Sequence, residues 1–174
     1  MNITTLKKSL AAKSKPELIE EITQLYKKFP DVKNYYQAQQ GDAMVVLEKY
    51  QDIIKKEFVD GYSRGQPKAR LSVARKAVQD FHKISSEPVL QADIMLTFVE
   101  VISDFNKDFG VDSEPYYTSP EGMFEKALAF LKKNNLLPVF EKRAYQIVSN
   151  AIDAWGHFDS LEETYSDFYE DFIR

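Results

Sequence analysis

The chain has 174 residues, a net charge of −4 and a pI near 5.3. It contains no cysteine, which excludes disulfides, zinc–thiolate sites, iron–sulfur clusters and a cysteine nucleophile. Its mild acidity offers no general attraction to nucleic acid or to an anionic membrane, so only a local basic patch could supply one. Aromatic residues reach 13%, a supply of large side chains suited to a folded core. The length fits one domain over residues 1–174. The opening Met1 to Lys8 is not followed by an apolar run, and the most apolar stretch, Ile94 to Phe105, is interrupted by Glu100 and Asp104. These features predict neither a signal peptide nor a membrane span, and a cytoplasmic location.

In chain order, Thr4 or Thr5 can cap a short first helix reaching about Ala12. Ser14-Lys15-Pro16-Glu17 reads as a capping box before Leu18, Ile19, Ile22, Leu25, Tyr26 and Phe29 at helical spacing, with Pro30 as the stop. Asp31 can cap a short third helix ending near Gly41. Asp42 opens a fourth, striped by Met44, Leu47, Ile54 and Phe58. Gly61 to Pro67 is a loop that could also divide two subdomains. A fifth helix is predicted from Pro67 to about Ile84, with Leu71, Ala74, Val78 and Phe81 inward. The sixth, from Pro88 to about Phe109, is apolar on more than one face and should be central, and Gly110 should end it. A loop from Val111 to Ser119 follows. Ser119 and Pro120 should start the seventh helix, and Pro138 the eighth, which Gly156 should break. Ser160-Leu161-Glu162-Glu163 reads as a second capping box opening the last helix, with Tyr165, Phe168, Tyr169 and Phe172 on its apolar face. Sustained strand-like alternation is lacking. The expectation is an all-α fold of eight to nine helices, an irregular bundle or a stack of helix pairs.

Several pieces resemble a family of uncharacterised bacterial helical proteins defined only as a domain of unknown function. They are Leu6-Lys7-Lys8, Lys15-Pro16-Glu17-Leu18-Ile19, Leu25 to Pro30, Lys68 to Leu71, Glu114 to Tyr117, Met123 to Ala127 and Trp155-Gly156. The resemblance covers nearly the whole chain. It implies a small bacterial cytosolic protein and carries no activity, cofactor or site residue. A more local likeness, Leu6 through Ile22, is similar to the helix-turn-helix of the SAP domain, a DNA-binding module. The connector here is short and lacks the usual glycine, and Glu21 stands where a basic residue is common.

Four constellations are candidates for function. Arg64, Lys68, Arg70, Arg75, Lys76 and Lys83 face a single acid, Asp80, between residues 64 and 83. Such a helix can meet phosphates or an acidic protein, or be a solvated face paired with acidic neighbours. His157 with Asp159 is a weak candidate for a metal or acid–base site, set against the need for caps at the last helix. His82, beside Phe81, suits a partly buried helix position. Glu100, Asp104 and Asp108 share one face of helix six, either as a carboxylate site or as the partner of the basic fifth helix. Tyr116 and Tyr117 lie in a loop where they could anchor an interface or plug the core. The chain has no phosphate-binding glycine loop, HExxH, nucleophile elbow or EF-hand loop. The leading expectation is therefore a non-enzymatic helical interaction protein that needs no cofactor. It would contact another protein or its own copy through Arg70, Arg75, Lys76, Tyr116 and Tyr117. The alternative is a nucleic-acid-associated protein using the N-terminal helices and residues 64–83. The third is a metal-assisted enzyme using carboxylates and His157.

Overall fold

A helix with apolar residues on several faces has to be covered on several faces, and the fold is arranged around one such helix. The structure is a computed structural model that describes residues 1–63 and 65–169. In it, Pro88–Phe109 forms α6, and 13 of its 22 residues are buried. Four helices lie along it: α4 (Ala43–Phe58), α5 (Leu71–Ile84), α7 (Pro115–Lys133) and α8 (Leu137–Asn150). α9 (His157–Ser166) packs on α7 and α8, and α3 (Pro30–Gln39) packs on α4 and α5. α2 (Lys15–Lys28) leans mainly on α3, and α1 (Ile3–Ala11) lies beyond it, with no extended packing on another helix. The fold is all-α, an irregular arrangement around a central helix. One cluster of buried side chains runs from Ala38 to Tyr165, so the segments on both sides of residues 61–67 share it. No described helix is long and apolar enough to cross a membrane.

Several ends fall where the local chemistry puts them. Ser14 N donates to Glu17 Oε2 at 2.7 Å and Glu17 N to Ser14 Oγ at 3.4 Å, completing the first capping box. Gly110, at φ 57°, closes α6 in the left-handed conformation that glycine tolerates best. Other ends move. Residues 61–67 are not a plain loop: Tyr62–Ser63 (β1) and Gln66–Pro67 (β2) pair antiparallel. That pairing holds Pro67 extended, so α5 starts at Leu71 instead of Pro67. α3 starts at Pro30, one residue before the expected Asp31 cap. α9 starts at His157, so Ser160 and Glu163 lie inside the helix and form no capping box. α8 ends at Asn150, well before Gly156, which instead precedes α9. Phe172, expected on the apolar face of the last helix, lies outside the described residues.

The largest shift is at α7, which begins at Pro115 and takes in the segment expected to be a loop. Pro120 then sits inside the helix. It has no N–H, so the carbonyl four residues earlier, Tyr116 O, loses its helical donor. Asn106 of α6 replaces that donor: its Nδ2 donates to Tyr116 O at 2.7 Å. Ser119, expected as a cap, accepts instead from Arg75 Nη2 at 2.6 Å. A distant side chain thus permits a proline that local rules would put at a helix start. Asn106→Ala should lower stability by about 1–3 kcal/mol, because it strands a buried carbonyl. In a Pro120→Ala background the same substitution should cost clearly less, since alanine restores the missing backbone N–H. Denaturant midpoints of the four variants in the cycle measure this, and equal costs in both backgrounds would contradict it.

Candidate functional site

Three of the six cations of the basic segment pair with carboxylates within the fold. Arg70 leads into α5 and grips Glu57 with two bonds, Nε to Oε2 at 2.8 Å and Nη2 to Oε1 at 2.7 Å. The Glu57 side chain is nearly buried, and the Arg70 bonds hold its carboxyl below the usual range despite burial. Lys76 pairs with Asp80, and Lys83 reaches the same carboxylate at 2.8 Å. Both lysines pull the Asp80 carboxyl down. Arg75 bonds Ser119, and Arg64 lies outside the described residues. Two of the three cations proposed as contacts, Arg70 and Lys76, are therefore already committed to carboxylates.

The tyrosine pair is not a surface loop. Both residues lie in the first turn of α7, and Tyr117 is only 2% exposed. Its hydroxyl donates to Val111 O at 2.7 Å, and that of Tyr116 to Ala69 O at 2.8 Å. Two rings with satisfied hydroxyls fold inward because the helix starts early and turns them onto the core. What reaches solvent here is Trp155, stacked on Tyr117 with ring centres 5.9 Å apart, and 56% exposed.

His157 is fully buried between two partners that sequence spacing did not reveal. Nδ1 lies 2.7 Å from Glu121 Oε1 of α7, and Nε2 lies 3.0 Å from Ser103 Oγ of α6. A neutral ring satisfies both, with Nδ1–H donating to the carboxylate and Nε2 accepting from the hydroxyl. The order Ser–His–Glu is that of a nucleophilic triad. The surroundings differ, because Ser103 is buried in mid-helix, where the backbone N–H groups are bonded along the helix. Those N–H groups cannot also form an oxyanion hole. The arrangement ties α6, α7 and α9 together. Asp159 is exposed and stands apart, and among the described residues no three His, Cys, Asp or Glu converge as metal ligands. His82 is half-buried, and its Nε2–H donates to Gln91 O at 3.1 Å. Burial pushes its pKa down, partly offset by that bond.

The acids of α6 meet a cation from α8, not from α5. Arg143 bonds Glu100 at 2.7 Å through both Nε and Nη2, Thr97 Oγ1 at 3.0 Å, and lies 3.3 Å from Asp93. Burial opposes its charge, but Glu100 and Asp93 outweigh burial and raise its pKa further. Asp104 is left beside them. Desolvation, then Asp108 and Glu100, push its carboxyl up. Thr97, Glu100, Asp104 and Arg143 line an open cleft of about 460 Å³ between α4, α6 and α8, which His157 does not reach.

The feature least explained by the bundle is its N-terminal arm. Asn2 caps α1 by accepting from Thr5 N at 2.9 Å, and the Ser14 box caps α2. Yet neither helix contains a buried residue. Ile3, Leu6, Ile19, Ile22, Leu25 and Phe29 are all exposed, Ile3 by 73% and Ile19 by 56%. Sequence periodicity found the α2 part of this stripe but could not show that the fold leaves it largely exposed.

A family described as of unknown function (DUF6155) matches residues 1–170. The chain belongs to that family. Neither a curated protein nor a solved structure matches it. Membership in DUF6155 agrees with the helical likeness drawn from the sequence and assigns no residue a role.

The two histidines should respond differently to substitution. His157→Leu should cost about 2–4 kcal/mol, because it leaves partly buried Glu121 and buried Ser103 without their partner, and Ser103→Ala about 1 kcal/mol. A fluorophosphonate probe should leave Ser103 unlabelled, and labelling would revive the triad as chemistry. For His82 the folded pKa lies below the unfolded value, so the unfolded state binds protons more readily as pH falls. The stability it supports is present above about pH 6.5 and lost progressively below it. Denaturant midpoints between neutral and mildly acidic pH should fall less in His82→Gln than in the unaltered protein.

Proposed function

We propose that this protein is a cytoplasmic, non-enzymatic helical interaction protein that docks on a partner through its N-terminal arm, α1 and α2. One observation carries the reading: two capped amphipathic helices present an aliphatic ridge, and none of its residues is fully buried. Helices shorter than about 12–15 residues are marginal in water unless an apolar face is packed, and α1 has 9 residues and α2 has 14. Covering one exposed Ile or Leu fully is worth about 1.5–3 kcal/mol, so a few such side chains can hold both the arm and a partner. The contact surface thus shifts from Tyr116, Tyr117 and the α5 cations to the arm.

The test is affinity purification of the tagged protein at low salt, with and without nuclease, beside an Ile19→Asp/Ile22→Asp/Leu25→Asp variant. These side chains are exposed, so the bundle should keep its thermal transition. A co-purifying protein that survives nuclease and is absent with the variant is the expected result. Unchanged co-purification with the variant would remove the arm from the interaction. Nucleic acid that co-elutes and is released by salt would favour the nucleic-acid reading instead.

A further inference from the structure

We infer that the arm's partner is a second copy of this chain, and that the arm seats on the acidic face of α7 and α9 around Trp155. This rests on the arm being a docking element.

Charge is sorted along the chain in a way the net value hides. Residues 1–28 carry Lys7, Lys8, Lys13, Lys15, Lys27 and Lys28 against Glu17, Glu20 and Glu21, a net +3. The remaining residues therefore carry −7, against −4 for the whole chain. That negative charge is concentrated. Residues 110–125 hold Asp112, Glu114, Glu121 and Glu125 with no lysine or arginine. Residues 151–167 hold Asp153, Asp159, Glu162, Glu163 and Asp167, again with none. The fold brings these two stretches side by side, since α7 packs on α9 and Glu121 bonds His157. Arg75, on Ser119, is a cation at the edge of this face.

Lys126 lies beside Arg75, and Lys132 lies over the Phe168 ring, so the acidic face is confined to the first turns of α7 and to α9 with the turn before it. There sits an aromatic side chain that the backbone holds at a cost. Trp155 has φ 55° and Gly156 φ 68°, and His157 N donates to Ala154 O at 3.0 Å, closing a turn on two left-handed residues. Glycine or asparagine suits the first of those positions, and tryptophan does not. The stack on buried Tyr117 fixes one face of the indole, and much of the ring stays open to solvent. An exposed indole two residues from Asp153, on a turn leading into acidic α9, matches a helix that offers both lysines and aliphatic side chains: the ring can receive a cation or a methylene stem, and the carboxylates its charge. The arm is such a helix pair. In its own chain it leans on α3, with Tyr26 and Tyr36 edge to face at 6.2 Å, and leaves Trp155 uncovered. Exchanged between two copies, each arm meets the other's face, and a two-fold pair gains two identical interfaces.

The experiment is light scattering and sedimentation of the full chain across concentration, at low and at high salt. One variant is Ile19→Asp/Ile22→Asp in the arm. The other is Trp155→Gly/Asp153→Lys on the face, where glycine keeps the turn while removing the indole. The unaltered protein should dimerise, and high salt should weaken the dimer by about tenfold or more. Each variant should be monomeric at the same concentration with an unchanged circular dichroism spectrum. An equal mixture of the two should regain a heterodimer through its one intact arm–face pair. Carbodiimide cross-linking of that mixture should join a lysine of residues 1–28 to Asp159 or Glu163 of the other copy. A monomeric unaltered protein, a dimer that survives both variants, or a mixture that stays monomeric would each overturn the assignment. If the unaltered protein is monomeric yet loses a different protein partner in the arm variant, the second copy is wrong and the arm reading stands. If the monomer binds a fluorescent DNA duplex through the arm, the nucleic-acid outcome replaces it.

Discussion

The rest of the fold depends on the burial of α6. Thirteen of its 22 residues are buried, on every side of the helix axis but the strip that carries Asp93, Glu100 and Asp104. A single neighbour could cover only one stripe, so α4, α5, α7 and α8 are all needed to remove this surface from water. Closing the ring of helices in turn fixes where α3 and α9 can rest. The aromatic contacts follow the same centre. Phe105 of α6 packs edge to face on Phe58 of α4 at 5.3 Å and tilted on Tyr116 of α7 at 5.9 Å.

Within that apolar setting the polar groups act as fasteners between helices. Asn106 completes the Tyr116 carbonyl, Ser103 and Glu121 hold His157, Thr97 and Glu100 hold Arg143, and Arg70 completes Glu57. A hydrophobic contact tolerates sliding, whereas a buried donor left without its acceptor does not. Each bond therefore selects one register between two helices. The same physics accounts for the Ser103–His157–Glu121 chain: polar residues meeting in a packed interior must satisfy one another.

The arm stands outside this logic. It has good caps, an aliphatic ridge and excess lysine, but no buried residue, while the opposite charge gathers in residues 110–125 and 151–167. Large apolar side chains are exposed elsewhere too, Met44, Phe109 and Val139 among them, but six of them from Ile3 to Phe29 stand on, or at the end of, two helices that contain no buried residue. That grouping is the ground for placing the proposed function on the arm instead of in the bundle.

The sequence by itself determined the helices with strong periodicity, the central position of α6, the Ser14 capping box and the Gly110 stop. Each of these depends on residues within a few positions of one another. It also found the ridge from Leu18 to Phe29. It could not place the start of α7, because the donor that permits Pro120 lies on Asn106 in another helix. It could not show that Tyr117 turns inward, that His157 meets Ser103 and Glu121, or that Arg143 and not α5 answers the α6 acids, since these partners are 6 to 54 residues apart. Above all, an amphipathic stripe reads the same whether the fold covers it or leaves it bare. Periodicity reports that a face wants to be buried, and only the tertiary structure decides whether anything in the same chain buries it.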